Sequence, residues 1–274
     1  MATTPHRIAA LLLCTTAGAC SGAGYAEMVA GLNPISYWRL GETIGLTACD
    51  EMGVSDGLYI SGLTLGVVGP IDGNTAAEFD GFLAHAAIGH DDAYLLDAGA
   101  VSMWFKAHDA RSRQELFSKD STNYDTGGHL TIMLKNTHAE VRIQSTTTSY
   151  WLESANFDVM EWNHLLLTFG PAGVQLYING ELEDTDPYTG GLGATSGGIG
   201  NHEPIVLGAN AWQSNNLVAI PLKDYFKGQL DEVFILDYQP NESQIANMAS
   251  PTGDAGGDTI RIFQWQTVPP VNKN

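Results

Sequence analysis

Positive charge is scarce in this sequence. The 274 residues carry 12 Lys and Arg against 31 Asp and Glu, a net charge of -19. A phosphate backbone would therefore be repelled rather than neutralised, which argues against nucleic acid as a partner. Cysteine is nearly absent: Cys14, Cys20 and Cys49 cannot all pair within one chain, and two of them lie in the N-terminal flank, which excludes a disulfide scaffold. No apolar run approaches the roughly 18 residues of a spanning helix, so no transmembrane segment is expected. Enzyme signatures are missing too. The eight histidines show no His-Glu-x-x-His spacing, no Cys-x-x-Cys accompanies them, and Ser196 lacks a Gly-x-Ser-x-Gly elbow. The glycines of 190–200 do not sit between a strand and a helix, as a phosphate loop requires.

What the sequence does contain is a globular balance, 44% hydrophobic and 16% charged residues, punctuated throughout by 31 glycines and 11 prolines. Such punctuation favours many short segments over a few long helices and gives an all-β expectation. Val101, Met103 and Phe105 alternate with other residues, as do Val174, Leu176 and Ile178, and both runs read as half-buried strands. Further strands are expected at 115–118, 129–134, 140–144, 163–169, 205–207 and 228–236. Asn179-Gly180 reads as a type I′ hairpin turn, because both residues tolerate positive φ. Short helices are expected at 25–30 and 242–248, the second with Asn241 as N-cap and Gln244 at capping-box spacing.

The flanks form separate units, an N-terminal arm over 1–24 and a linker with C-terminal arm over 251–274, around a body over 25–250. The apolar residues Ile8, Leu11 and Leu12 follow Arg7 and precede the small residues near Cys20, and they fit two readings. One is a secretory or lipoprotein signal. The other is an amphipathic arm that docks on a neighbouring subunit. Ile260, Ile262, Phe263 and Trp265 form a strand-like run beyond a Gly-rich linker, and they are expected to complete an edge on their own sandwich or on a neighbouring chain.

Several pieces occur in a recognisable order: Tyr37-Trp38-Arg39-Leu40-Gly41-Glu42, Asp50, Phe79-Asp80-Gly81, Ser102-Met103-Trp104-Phe105, Trp162-Asn163-His164, Leu176-Tyr177-Ile178-Asn179-Gly180 and Leu230-Asp231-Glu232-Val233. Between Tyr25 and about Met248 the chain thereby resembles LamG-like members of the concanavalin A-like superfamily. The resemblance implies a jelly-roll sandwich of two antiparallel sheets with its first and last strands adjacent, and a non-enzymatic module binding glycans or proteins. The opening from Tyr25 to Glu42 is similar to bacteriophage virion proteins. That implies a decoration, fibre or adhesion subunit at the virion surface, homo-oligomeric or particle-bound among other virion proteins. The alternative is a secreted bacterial glycan-binding protein or lipoprotein at the outer surface.

Three site expectations follow. Glu42, Asp50 and Asp231 would approach one another if the first and last strands pair, offering hard oxygens to a structural Ca2+. Tyr150, Trp151 and Trp212 lie among Ser, Thr and Asn and could present stacking platforms to a glycan or partner. Glu181 and Glu183 share a strand face, but they follow the Asn179-Gly180 turn and read as a solvated hairpin rather than a glycosidase pair.

Overall fold

The computed structural model describes residues 23–71, 73–122, 126–213 and 222–253. The expected arms at Ile8, Leu11 and Leu12, and at Ile260, Ile262, Phe263 and Trp265, lie outside the described residues.

A helix, α1 (Ala23–Gly31), precedes the strands β1 (Ser36–Trp38), β2 (Thr47–Ala48), β3 (Gly57–Ile60), β4 (Thr64–Val68), β5 (Thr75–Asp80) and β6 (His85–Ile88). There follow β7 (Gly99–Ala107), β8 (Gln114–Lys119), β9 (Leu130–Lys135), β10 (His138–Gln144), β11 (Ser149–Glu153) and β12 (Asn163–Phe169). The chain continues through β13 (Val174–Ile178), β14 (Glu181–Asp186), β15 (Ile205–Leu207), β16 (Lys227–Leu236) and α2 (Glu242–Met248). Among the described residues the strands form two eight-stranded antiparallel sheets. The first has the order β14-β13-β12-β7-β16-β5-β4 with β1 on β16, and the second runs β11-β10-β9-β8-β15-β6-β3-β2. This is the expected all-β jelly-roll sandwich with a short C-terminal helix. No helix among the described residues is long and apolar enough to cross a membrane.

The core between the sheets takes alternate residues from each strand: Met103, Phe105, Leu165, Leu167, Val233 and Ile235 from the first sheet meet Leu116, Ile132 and Val141 from the second. The intervening residues of the first sheet are not solvated. Trp104, Leu166, Phe234 and Leu236 form a second cluster with Tyr25 and Val29 of α1 and Ile245 and Met248 of α2. The expectation that β7 is half-buried is therefore corrected: eight of its nine residues are buried, because the two helices cover the side that would otherwise face water. Trp104 Nε1 donates to the Tyr25 hydroxyl at 2.9 Å, which donates to the Met248 carbonyl at 3.0 Å, tying both helices to the sheet. The capping box forms as expected, with Asn241 and Gln244 each accepting from the other's backbone at 2.9 Å. Asn179 and Gly180 both hold positive φ, 52° and 83°, at the hairpin between β13 and β14.

The first and last strands pair, with Tyr37 opposite Phe234. Next to them β16 bulges, and Glu232 adopts a φ of 51° with its side chain wholly buried. Its carboxylate accepts from the Tyr37 hydroxyl, from Arg39 Nη2 at 3.2 Å and from Asn74 Nδ2 at 2.7 Å. Near the same closure, the Asp50 carboxylate organises the turn after β2. One oxygen accepts from the backbone N–H of Tyr37 at 2.8 Å and Met52 at 3.0 Å, and the other from those of Val54 and Ser55, both at 3.0 Å.

Two outcomes follow from this packing. Asp50→Ala leaves four backbone donors without their acceptor and is expected to lower stability by about 3 kcal/mol, measured by denaturant unfolding. His164, wholly buried beside Trp104 and bonded through Nε2 to Ser102 Oγ at 2.8 Å, is pushed down by burial to about 3. The unfolded chain titrates that imidazole near 6.5, so between the two values the unfolded state binds a proton that the folded state does not. Stability is thus expected to fall as pH drops from about 6.5 towards 3. The slope should be shallower in His164→Gln, compared by melting temperature across that window.

Candidate functional site

The helices cover the central strands of the first sheet on its outer side, while the outer side of the second sheet carries a layer of polar residues that is largely buried and becomes exposed at Trp151. Its residues follow from register. Val206 of β15 lies opposite Ser118 of β8, Ser118 opposite Thr131 of β9, Thr131 opposite Arg142 of β10, and Arg142 opposite Trp151 of β11. Cross-strand partners share a face, so these side chains form one row. A parallel row runs Glu115, Met133, Glu140 and Glu153. Their neighbours along each strand, including Leu116, Ile132, Val141 and Leu152, point into the core.

The Val206 end of this platform is roofed by the segment that follows β15. Val206, Ala209, Ala211 and Leu222 form a small apolar cluster. Ser118 Oγ accepts from the Ala211 backbone N–H at 3.0 Å, and Asn210 Nδ2 donates to Glu115 Oε2 at 3.0 Å. Beneath this cover burial pushes the Glu115 carboxyl well above the usual carboxylate range, an effect the Asn210 amide opposes. The other Glu115 oxygen has no hydrogen-bond partner. Towards the open end, Arg142 Nη2 donates to Asp120 Oδ1 at 2.5 Å, and His129 Nδ1 lies 3.9 Å from the same oxygen. Burial pushes His129 down, against the pull of Asp120. His129 Nδ1, Thr131 Oγ1 and Arg142 Nε are buried without a hydrogen-bond partner. Polar atoms left unpaired in this density are costly, and a ligand that supplies their partners recovers that cost. At the rim the Arg142 guanidinium lies 5.8 Å from the centre of the Trp151 ring, which is 46% exposed.

Trp151 thus stands where a stacking platform is useful, although it lies on a strand rather than in the expected loop. Tyr150, its neighbour on β11, faces the other way, packs against the core and stacks on Tyr188 with ring centres 3.9 Å apart. Trp212 lies on the segment after β15, its ring 4.2 Å from Lys223 Nζ. The three aromatics therefore do not make one surface. Glu115, Asp120, His129, Thr131 and Arg142 form no motif along the sequence. The alternation in 129–134 and 140–144 was visible, but the strand partners that align these residues were not.

The expected cation ligands are likewise placed apart. Asp50 holds four backbone donors. Glu42 accepts from the Cys49 backbone N–H at 2.8 Å and the Tyr59 hydroxyl at 2.7 Å. Asp231 is buried, with one oxygen accepting from Asn74 Nδ2 at 3.1 Å and from the Glu232 backbone N–H at 3.0 Å. Its other oxygen faces Gly69, where a Cβ would sit 2.5 Å away. Among the described residues, acidic and histidine side chains converge to within 4.8 Å at His90, Asp92 and His202 and at His138, Glu140 and Glu153, and Glu42, Asp50 and Asp231 form no such group. Glu181 and Glu183 lie on the edge strand β14, where Glu183 accepts from the Ala155 backbone N–H at 2.9 Å.

Comparison with known proteins places this geometry. The receptor binding domain of botulinum neurotoxin D superposes with a TM-score of 0.57 at 13% identity, over 80% of this chain and 52% of that one. The serotype D binding domain gives 0.58 at 13%, over 81% and 52%. The receptor binding domain of the C/D mosaic serotype gives 0.57 at 14%, over 79% and 50%. The chain thus spans about half the length of these structures, and at such identities the likeness is one of fold. No curated protein matches the sequence. A laminin-G-type family model, described as the concanavalin A-like lectin/glucanases superfamily, matches residues 80–246, and with more than half of its length so covered the chain belongs to that superfamily.

Proposed function

We propose that the protein is a non-enzymatic binding module that takes a glycan on the outer face of its second sheet. The observation that carries this reading is the row from Thr131 through Arg142 to Trp151. It combines buried polar atoms lacking partners with a half-exposed aromatic ring at one rim. A sugar offers what that row needs, hydroxyls for His129, Thr131 and Arg142 and an apolar ring face for Trp151. A binding role also suits the superfamily and the receptor-binding domains that share the fold. Acid–base chemistry is less suited to Glu115 and Asp120. Glu115 is roofed by Asn210, and the Asp120 carboxylate is held by Arg142.

The setting we propose is an extracellular or particle surface, specifically that of a bacteriophage virion, where the module would serve adhesion or decoration. The sequence from Tyr25 to Glu42 and the net charge of -19 support it. A secreted bacterial protein is the alternative, and mass spectrometry of the native N-terminus separates the two. A start near Met1 or Ala2 favours the particle, and one near Cys20 or later favours secretion.

A glycan array screened with the full chain tests the binding reading. Trp151→Ala is expected to weaken the best glycan at least tenfold, about 1.4 kcal/mol, while changing stability by less than about 0.5 kcal/mol. Unchanged affinity in that variant would remove the platform from consideration, and turnover of a glucan that is lost in Glu115→Gln would replace binding with hydrolysis. Arg142→Ala strands the buried Asp120 carboxylate and is expected to cost about 3 kcal/mol of stability, read from denaturant midpoints.

A further inference from the structure

On the other side of β8, away from the polar row, two histidines and an aspartate meet at the surface. The pairing of β6 with β15 brings them together: Ile88 lies opposite Ile205, so His90, just beyond β6, and His202, just before β15, come face to face. Their rings stand 4.9 Å apart at 69°. Asp92 opens the short 3-10 helix Asp92–Tyr94, and its Oδ1 lies 3.5 Å from His90 Nε2. One ligand atom from each of His90, Asp92 and His202 lies within 4.8 Å of the other two. We propose that these three side chains bind a divalent transition cation, with Zn2+ as the best-fitting ion.

The donor set selects the class of metal. Two imidazole nitrogens and one carboxylate suit zinc and its neighbours, whereas calcium and magnesium require all-oxygen shells. Zinc bound by three protein ligands keeps a fourth position for water, and the Asp92 side chain, 89% exposed, opens the cluster to solvent on that side.

The environment of His90 supports the assignment. Its side chain is only 14% exposed, and Nε2, the atom facing Asp92, has no hydrogen-bond partner. The ring is fixed from behind, since Tyr94 lies 6.4 Å away between centres and Nδ1 sits 3.2 Å from Lys119 Nζ. Lys119 also donates to the carbonyls of Asn201, at 2.8 Å, and Glu203, on either side of His202. Lys119 thereby holds the His90 ring and the loop that carries His202 in one arrangement.

Zinc titration of the full-length protein by calorimetry, under reducing conditions, tests the proposal. The probe is Zn2+ alone, with Co2+ substituted to read tetrahedral geometry from its visible absorption. The expected result is one Zn2+ per chain at micromolar affinity or tighter, weakened at least tenfold in His202→Ala and in Asp92→Asn, and unchanged in His138→Ala. Because His90 is largely buried and its replacement could disturb folding, the fourth measurement uses the unaltered chain. Imidazole 15N resonances of His90 and His202 should shift on adding zinc while that of His138 stays in place. Absence of binding at 100-fold higher zinc overturns the proposal. So does binding that survives both variants, as capture by the cysteines would, or binding that is lost in His138→Ala.

Discussion

Glu232 is a carboxylate that the fold cannot solvate, and the closure of the sandwich is arranged around it. A charge taken out of water is tolerable only with opposite charge and hydrogen bonds close by. Here Tyr37 and Arg39 come from β1 and the residues after it, and Asn74 from the turn before β5. Those partners are separated from Glu232 by most of the chain. The carboxylate is satisfied only when the first strand lies on the last and the β4–β5 edge is in place. Burial drives Glu232 upward in pKa, while Arg39 and the Tyr37 hydroxyl oppose the rise. The adjacent Asp231 has its second oxygen against Gly69, so the local backbone is fixed as tightly as the charges. A motif whose acids suggest a cation site is, in this fold, the internal fastening of the chain ends.

That fastening also decides which face remains for function. With β1 and β16 joined, α1 and α2 lie beside each other and cover Trp104, Leu166 and Phe234, so the central strands β7, β12 and β16 are largely buried on both sides. Strands buried on both faces read as near-continuous hydrophobic runs. The second sheet keeps the alternation of a one-sided strand, with Ile132 and Val141 inward and Thr131 and Arg142 outward. Yet its outer residues are themselves largely buried, Glu115 and Ser118 beneath Asn210 and Ala211, which bond to them. A polar layer under partial cover, opening at Trp151, differs physically from a wet surface, since each unpaired atom in it favours a ligand able to pair with it.

Much of the architecture was legible in the sequence because it is local. The strand over 163–169, the Asn179-Gly180 turn and the Asn241 capping box depend on neighbours within a few residues. The ordered pieces from Tyr37 to Val233 carried the superfamily and, through it, the pairing of first and last strands. What was not legible depends on register or on a third layer. Nothing in the Val101 to Lys106 run says that helices more than seventy residues away on either side will cover its second face. Tyr150 and Trp151, adjacent in the chain, were grouped as one platform, whereas β11 sends them to opposite sides. Arg142 and Trp151 become neighbours only once β10 and β11 are aligned, and no spacing rule along one chain finds such a pair. The same holds for His90 and His202, which meet only through the register of β6 on β15.

β8 connects the two candidate sites through consecutive residues. Ser118 faces outward and holds the backbone of Ala211, and therefore the roof over Glu115. Lys119 faces the other way and holds His90 and the carbonyls flanking His202. Asp120 then anchors Arg142. These three consecutive residues thus hold bonds on both surfaces, and β15, paired with β8, carries His202 on the segment before it and Asn210 on the segment after it.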